Sequence, residues 1–568
     1  MSPTQLPTSP VSSAAQTARS ADHVGGAKLP RVGVFGWGIV APKSPNMAAF
    51  ARNLATSESW LTPFEGFGPS NFLVGQPEFD FEDYKAWIDH RFAPRHYQNL
   101  KEKMDYPSLY ALGAFIQALE QNPGLEKLMQ ELGSQAHVYV GTGLGSVDTM
   151  YQSSVTLYIA QQRWNRFWGS KENNSALSAY LDGQLKGLED VPLNPAEAEG
   201  DLAELALAWE AWWMERSPEL REYLDEAAAI DALVMEGEVE QGKLHVLRER
   251  GKRHGRLQEK WGAPEPPWRV SANLIWNIHN TPASQVSILG RITGLAFAPV
   301  AACSTFGVAL RLAMQAIERG EAKVVVVGAT DPPPHPLIVG SFYGARVLSA
   351  SRQVSNPLTQ LQGTHVAGGS VVWIVGDMEY LESKGMTPLG MEPIAAGVSS
   401  DAHHIITPSI PGPQAAIRQA LEEAHTTPDK IATWDLHATA TPGDYAEIST
   451  LRTMLPETVM VTARKGTFGH GMSAGGGWEL TAQYLGYESG HLFPTLLTEQ
   501  TLNPAIASIH GQFVFADSCV TAEGLAGKLS SGIGGINACV ISRPLENKTD
   551  PRWRSYRESY VPLLGPGG

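Results

Sequence analysis

Long apolar runs, cysteine and positive charge are all in short supply in this chain of 568 residues. No segment approaches the ~20 consecutive apolar residues that a helix needs to span a bilayer, so no transmembrane segment is predicted. The three cysteines, Cys303, Cys519 and Cys539, are too few for a disulfide framework, which favours a reducing cytoplasm. A formal charge of −15 argues against nucleic acid as the main partner.

The chain is rich in apolar residues overall, at 43% of its composition, and can bury a large core with more than one domain-sized unit. Residues 1–28 are rich in Ser, Thr, Ala, Pro and Gln and lack the apolar core of a signal peptide, which predicts a disordered N-terminal tail. Strand-like runs at 138–140, 323–327 and 370–375 alternate with helical segments such as 413–425. That alternation predicts the α/β fold class, with mostly parallel sheets covered by helices.

A segment from about 152 to 267 interrupts this alternation. It is Glu-rich and Trp-rich and has almost no β-branched runs, so a mainly helical insertion is predicted. Leu202, Leu205, Trp209 and Trp212 recur at helical spacing, which predicts one apolar face. Two interpretations stay open: a helical cap on the body of the protein, or a surface for a partner protein, lipid headgroups or a substrate lid.

Cys303 lies where a short apolar segment, 295–300, meets an amphipathic stretch, 305–319, that ends at Gly320. This pattern predicts a tight turn that places the thiol at a helix N-terminus, where the helix dipole favours the thiolate. A thiolate in that position can take an acyl group. The alternative is a buried structural cysteine.

Two histidines in the C-terminal half, His437 and His470, each follow a β-rich run. Sites in open α/β proteins are built at strand ends, so both histidines are candidates. Together with Cys303, Lys465 and the Gly-rich segment 531–537, in this order, they resemble the β-ketoacyl synthases, or 3-oxoacyl-[acyl-carrier-protein] synthases, of the thiolase superfamily. The Cys-His-His set is similar to the elongating class of that family.

The resemblance extends over most of the chain and implies a thiolase-like fold: duplicated α/β halves with layered mixed sheets and helices, plus the insertion. It implies an N-terminal half at 29–385 that carries the nucleophile and a C-terminal half at 386–568 that carries both histidines. The site would then lie at the junction of the halves. Further segments that are similar to family segments are 31–42, 103–105, 141–145, 270–288, 344–349 and 400–404.

The resemblance also implies roles for individual residues. Cys303 would hold the acyl chain as a thioester, and His437 and His470 would stabilise the oxyanion of a malonyl thioester that loses CO₂. Lys465 would fix His470, with Glu479 in support. The remaining implied positions are Asp401 and His404 as supporting residues, the Cys303 and Ile533 backbone N–H groups as an oxyanion hole with Ile533 as the gate, Thr439 and Thr441 for the pantetheine arm, and Lys103 and Arg346 for docking of an acidic carrier.

The sequence therefore predicts an acyltransferase, an elongation-type 3-oxoacyl synthase that condenses a Cys-bound acyl chain with a malonyl-carrier thioester in fatty-acid or polyketide/polyene synthesis. The resemblance implies an acyl carrier protein as partner and a homodimer, or a heterodimer with a related subunit. No organic cofactor is expected beyond the carrier's phosphopantetheine, and no metal, since no Cys/His cluster has ligand spacing. The alternatives are a non-condensing, chain-length-factor-like partner subunit and an acyltransferase or malonyl decarboxylase that uses the same site.

Three departures from the family pattern bear on specificity. Ser531 and Ile533 stand where the family has phenylalanines, so the gate is smaller and β-branched. Ala438 and Ala440 replace glycines after His437, and the segment before Gly443 is one residue short. Gly466 replaces the usual serine beside Lys465.

Overall fold

The computed structural model describes residues 29–198, 202–233, 239–269, 273–406, 409–509 and 511–545. The predicted tail, residues 1–28, lies outside this part of the chain. The strands are β1 (Val32–Val40), β2 (Thr62–Pro63), β3 (Leu73–Val74), β4 (Ala136–Gly141), β5 (Ala296–Phe297), β6 (Val324–Asp331), β7 (Gly369–Asp377), β8 (Met391–Ser400), β9 (Ile431–Asp435), β10 (Met460–Thr462), β11 (His491–Leu492), β12 (Gln512–Phe513), β13 (Val520–Thr521), β14 (Leu525–Gly532) and β15 (Ile536–Pro544).

The helices alternate with these strands. They are α1 (Met47–Leu54), α2 (Lys85–Arg91), α3 (His96–Lys103), α4 (Tyr106–Glu120), α5 (Leu125–Leu132), α6 (Val147–Trp168), α7 (Ser175–Leu181), α8 (Leu202–Met214), α9 (Pro218–Asp231), α10 (Val239–Trp261), α11 (Asn273–Trp276), α12 (Thr281–Gly290), α13 (Thr305–Glu318), α14 (Pro336–Gly344), α15 (Met378–Ser383), α16 (Pro411–Glu423), α17 (Gly443–Met454), α18 (Lys465–Phe468), α19 (Met472–Ser489) and α20 (Pro504–Ala507).

Two large sheets form the body. The first has the order β1-β7-β6-β4-β5 and the second the order β12-β10-β9-β14-β15-β8, so their strands lie on either side of Gly385 in the sequence. Both sheets are mixed. The pairs β1–β7, β6–β7, β14–β15 and β8–β15 are antiparallel, and the other pairs are parallel. Five of these nine pairs are parallel, and the antiparallel ones all involve β7 or β15, so the sheets are the mixed sheets that the resemblance implied.

Two helices, α13 and α19, lie between the sheets and contact both of them. Every residue of α19 from Met472 to Tyr487 is buried, which requires small side chains where the sheets come close. A Cβ atom at Gly477 would lie 2.4 Å from a methyl carbon of Val371 in β7, and one at Gly307 of α13 would lie 2.7 Å from Cβ of Ala538 in β15. The glycines thus set the spacing of the central layer.

Outer helices complete the layers. Helix α4, which is buried from Pro107 to Leu119, and helix α12 cover the outer face of the first sheet, and α16 covers the outer face of the second. The strand β6, a run of four valines followed by small residues, is buried throughout because helices cover both of its faces. This arrangement brings the ends of β9, β10 and β14 close to the N-terminal end of α13.

The insertion has a core of its own. In one cluster Trp164 and Trp168 of α6 pack with Leu220 and Tyr223 of α9, and in a second cluster Leu177 packs with the tryptophans of α8. On α8 the buried positions are Trp209 and Trp213, whereas Leu202 is half exposed and Trp212 lies under the guanidinium of Arg216 at 3.6 Å. The predicted apolar face is therefore correct at Trp209, whereas Trp213 rather than Trp212 is the second buried tryptophan, and packing within the insertion accounts for most of its tryptophans.

Among the described helices, none is both long and apolar enough to cross a membrane.

Candidate active site

Cys303 lies in a 3₁₀ turn, Ala302–Ser304, that runs directly into α13. The turn is tight because Ala302 adopts the left-handed region, with φ of 48°. Thr305 closes it: its hydroxyl donates to the Ala302 carbonyl at 2.8 Å and accepts from the Ala301 N–H at 2.9 Å. Ser304 donates to the Ile536 carbonyl at 2.7 Å and so ties the turn to the second sheet.

The thiol of Cys303 is buried, and this opposes the predicted preference for the thiolate. Burial raises the pKa of Cys303 to about 11, while the Ile533 backbone N–H and the charge of Lys465 act in the opposite direction. The expectation that the helix N-terminus would leave a thiolate in the resting protein is therefore wrong. The Ile533 N–H does face the sulfur.

The two histidines meet at the end of the second sheet. His437 follows β9 after one residue, and His470 lies between α18 and α19. Their ring centroids are 5.4 Å apart with the planes at 80°, and both rings line the cavity that contains Cys303. Burial, together with the charges of Lys465 and Lys528, holds the pKa of both imidazoles well below the usual value, so both rings are uncharged.

Each histidine backbone is fixed by a different neighbour. The His470 N–H donates to the His365 carbonyl at 2.6 Å, and its carbonyl accepts from the Ala367 N–H at 2.9 Å. Within the described residues no group bonds Nδ1 of His470. Lys465, which was expected to fix His470, instead donates to the His437 carbonyl and to Oε1 of Glu479 at 2.6 Å. Lys465 thus holds the first histidine rather than the second.

A network of buried charges lies beneath the histidines, and sequence reasoning missed most of it. Nζ of Lys528, on β14, is 2.8 Å from Oε2 of Glu479, so this carboxylate bridges two lysines. Asp435, at the end of β9, accepts from Arg464 at 3.1 Å and lies 4.0 Å from Lys528. The one sequence signal for Lys528 was a lone charge in a strand of otherwise small, polar and apolar residues.

The first turn of α17 supplies two carboxylates that were also missed. Glu447 accepts from the N–H groups of His437 and Ala438 at 2.7 and 2.8 Å, and Asp444 accepts from the Thr439 N–H at 2.8 Å. Burial raises the pKa of Glu447 to about 7 and that of Asp444 to about 6. Their spacing of three residues at a helix start, which puts both on one face, was the signal that could have found them.

Thr439 and Thr441 lie on one side of the cavity, as their expected role needs, but not in an extended segment. Ala440 between them takes a φ of 59°, and this turn brings the two hydroxyls within 3.0 Å of each other. Ala440, which stands where the family has a glycine, therefore still adopts the conformation that this turn requires.

Asp401 and His404 belong to the loop after β8, which faces the Gly-rich loop between β14 and β15. Asp401 accepts from the Asn537 amide and from the Ser409 N–H, each at 2.7 Å. His404 is exposed at the cavity wall and accepts from the Ile406 N–H at 3.1 Å. Asp401 thus ties the two loops together, and His404 lies apart from the histidine pair.

The cavity that joins these groups has a volume of about 680 Å³. Its wall beyond His437 is apolar and comes from α16, α17 and β14. The residues that share this buried apolar wall are Ile417, Leu451 and Leu529, with Thr450 beside them. Arg346 and Ile533, both exposed, line it as well.

Lys103 does not line this cavity. Its ammonium lies 5.1 Å from the ring of Trp276 at the end of α11. The structure thus separates the two predicted docking cations, and of the two only Arg346 lines the cavity that contains Cys303.

Within the described ranges, no group of three or more His, Cys, Asp or Glu residues is arranged to hold a metal ion.

Comparisons with known proteins agree with this geometry. The family model for the beta-ketoacyl synthase N-terminal domain matches residues 235–376, and that for the C-terminal domain matches residues 393–499. A 3-oxoacyl-[acyl-carrier-protein] synthase I from Arabidopsis thaliana is 30% identical over 34% of this chain and 43% of its own length. The 3-oxoacyl-[acyl-carrier-protein] synthase 2 of Rhizobium meliloti is 27% identical over 60% of this chain and 78% of its own length.

Solved structures show the same fold at low identity. The ishigamide ketosynthase/chain length factor matches with a TM-score of 0.62 and 16% identity, covering 91% of this chain and 100% of its own. A beta-ketoacyl synthase from Burkholderia phymatum matches with a TM-score of 0.62 and 17% identity over the same shares. The fold is therefore the thiolase-like fold of ketosynthases. The chain is similar to β-ketoacyl synthases in both matched domains, and it spans about half the length of the first curated relatives that it matches.

Proposed function

We propose that this protein is a 3-oxoacyl synthase that joins a Cys303-bound acyl chain to a malonyl thioester with loss of CO₂. The observation that supports it is the convergence of a cysteine thiol, a backbone N–H aimed at its sulfur and two uncharged imidazoles in one cavity. Each of these groups matches one requirement of the reaction.

Acyl loading is the first step. The sulfur of Cys303 attacks the carbonyl carbon of an acyl thioester, a C–S bond to Cys303 forms, and the C–S bond to the carrier breaks. The thiol proton ends on the departing carrier thiolate. Because burial keeps the thiol protonated, the sulfur must lose its proton as it attacks.

Decarboxylation and condensation follow. The malonyl carboxylate leaves as CO₂, and the electron pair moves onto the thioester oxygen as an enolate. His437 and His470 each donate a hydrogen bond to that oxygen, which neutral imidazoles can do without a change of charge. The enolate carbon then forms a C–C bond to the acyl carbonyl, the C–S bond to Cys303 breaks, and the sulfur recovers one proton from the medium.

The experiment is intact-mass analysis after incubation with acyl thioesters of graded length, on carrier protein and on coenzyme A, with Cys303→Ala as the control. We expect an adduct that depends on Cys303 and disappears when malonyl-carrier is added, with release of a 3-oxoacyl product. The absence of an adduct from every donor would contradict the proposal and favour a non-condensing, chain-length-factor-like subunit. An adduct that malonyl-carrier never consumes would favour acyl transfer alone, and loss of CO₂ without a new C–C bond would favour malonyl decarboxylation.

Assembly with a second, similar chain is part of the proposal. Strand β5 is at the edge of the first sheet, and apolar side chains beside it face outward: Leu295 and Val300 are each 55% exposed. Exposed apolar surface next to an edge strand is typical of an interface. Native mass spectrometry should show a dimer of this chain, and Val300→Asp should shift it to monomer. A monomer that dimerises only after a related subunit is added would favour a heterodimer.

The acyl and malonyl groups are proposed to arrive on an acyl carrier protein, with phosphopantetheine as the only organic group required. The paired hydroxyls of Thr439 and Thr441 support this, since they lie in the cavity and can bond the amides of that arm. A cytoplasmic location also stays a proposal, supported by three cysteines that are all free thiols.

A further inference from the structure

Lys528 is a buried cation that the reaction just described does not use. It lies in the middle of β14, directly opposite Asp435 of β9 in the parallel register, and only 1% of its side chain is exposed. Burying an ammonium ion is costly unless anions or carbonyl oxygens surround it. Groups that compensate the charge of Lys528 are therefore expected around its ammonium ion.

The surroundings of Nζ supply that compensation. Oε2 of Glu479 lies at 2.8 Å and Oδ1 of Asp435 at 4.0 Å. Nζ also donates to the backbone carbonyls of Leu529 and, at 3.3 Å, of Leu436. All of these groups carry full or partial negative charge, and together they form a cage for one cation.

Two ammonium groups then hold consecutive carbonyls. Lys465 donates to the carbonyl of His437, Lys528 donates to the carbonyl of Leu436, and Glu479 lies between the two lysines. The backbone of Leu436 and His437 is thus held at its two carbonyl groups by Lys528 and Lys465. The backbone N–H of His437 is held by Glu447, whose carboxylate accepts a hydrogen bond from it.

We propose that Lys528 is a positioning residue for the malonyl half of the reaction. Its ammonium holds the Leu436–His437 backbone through direct contact and through Glu479, and its charge adds to the burial and the Lys465 charge that lower the pKa of both imidazoles. The backbone N–H that faces the Cys303 sulfur belongs to Ile533, just after the end of β14, and the contacts of Lys528 described above do not include it. Loss of the ammonium should therefore slow condensation more than acyl loading. This inference rests on the proposed function, because it assigns a residue to one step of it.

The test compares Lys528→Met with a charge-matched double variant, Lys528→Met/Asp435→Asn. The single variant leaves two carboxylates facing each other and could fail to fold, whereas the double variant keeps the net charge of the network. Lys323→Met is the control, since Lys323 also pairs with an aspartate, Asp377 at 2.7 Å, but on the first sheet away from the cavity. Thermal melting identifies the folded variants.

Three readouts are measured on each folded variant: the rate of Cys303 acylation, the rate of condensation with malonyl-carrier, and the titration of His437 and His470 by NMR of ¹³C-labelled histidine. For the double variant we expect acylation within about threefold of wild type and condensation slower by ~10- to 100-fold, the usual scale when a reacting group is misplaced. Both histidines should titrate at higher pH than in wild type. Lys323→Met should match wild type in all three.

Other outcomes are equally decisive. Equal losses in acylation and condensation would overturn the proposal, because they indicate a general structural role. Wild-type condensation with unchanged histidine titration would overturn it as well. If the wild-type protein condenses no malonyl thioester, the proposed function fails, and histidine titration alone then decides whether Lys528 acts on the imidazoles.

Discussion

The resting protonation of Cys303 leads to a prediction that can be worked through in numbers. With a pKa of about 11, the thiolate fraction at pH 7.5 is ~0.03%, against ~10% for an ordinary thiol of pKa ~8.5. The resulting ~300-fold deficit is partly offset, by about tenfold, because a more basic thiolate is a better nucleophile. Iodoacetamide should therefore modify Cys303 roughly 30-fold more slowly than an ordinary exposed thiol.

The assay is time-resolved alkylation followed by peptide mass mapping, between pH 7 and pH 10. The chain contains its own references: Cys519 is exposed, and Cys539 is buried with a pKa raised by that burial. We expect the rate at Cys303 to rise about tenfold per pH unit over the whole range without a plateau. Lys465→Met should slow it further, because the lysine charge lowers the thiol pKa. A plateau below pH 8.5 would refute the reasoning and restore the thiolate expected from the helix N-terminus.

Three further predictions concern stability, chain selection and docking. Burial raises the pKa of Glu488 to about 8. The contribution of the protonated Glu488 carboxyl to the free energy of unfolding is therefore full below its unfolded pKa of ~4.3 and is lost as the pH rises to about 8. The Glu488→Gln variant should have a higher urea midpoint than wild type at pH 8.5 and an equal one at pH 4.5. Leu451→Ala should enlarge the cavity at its apolar wall and shift the loading of Cys303 toward longer or branched acyl chains, measured by intact mass in a competition assay. An unchanged preference would show that the acyl chain does not lie against this wall. Arg346→Glu should raise the KM for carrier-bound acyl substrate and spare free thioesters; an unchanged KM would remove Arg346 from the docking surface.

The sequence was sufficient to predict the class of fold and the three residues that converge in the cavity. Cys303 could be found because a turn and a helix N-terminus leave local signals, and the histidines could be found because each follows a β-rich run and lies in a segment that resembles the family. The predicted helix at 305–319 corresponds to α13. These features depend on short segments, which a single sequence shows directly.

The parts that could not be predicted depend on contacts between distant segments. Lys465 was paired with His470 because the two are close in sequence, but its ammonium reaches the His437 carbonyl 28 residues away. Lys528 becomes meaningful only when β14 lies beside β9. The pKa of Cys303 could not be predicted either, since the helix dipole can be read from a sequence but the extent of burial cannot.

The buried charges around Glu479 also limit how this sequence can diverge. An uncharged residue at position 528 would remove the cation that lies between Asp435 and Glu479 and would leave these two buried carboxylates with only Arg464 and Lys465 as partners, which is destabilising until one carboxylate is neutralised. Substitution at 435 before 528 would instead leave Arg464 without its carboxylate partner. Relatives that lack a lysine at the position of Lys528 should therefore also lack an acid at the position of Asp435. The two positions are expected to change together across the family, and their joint state would mark the lineage to which a chain belongs.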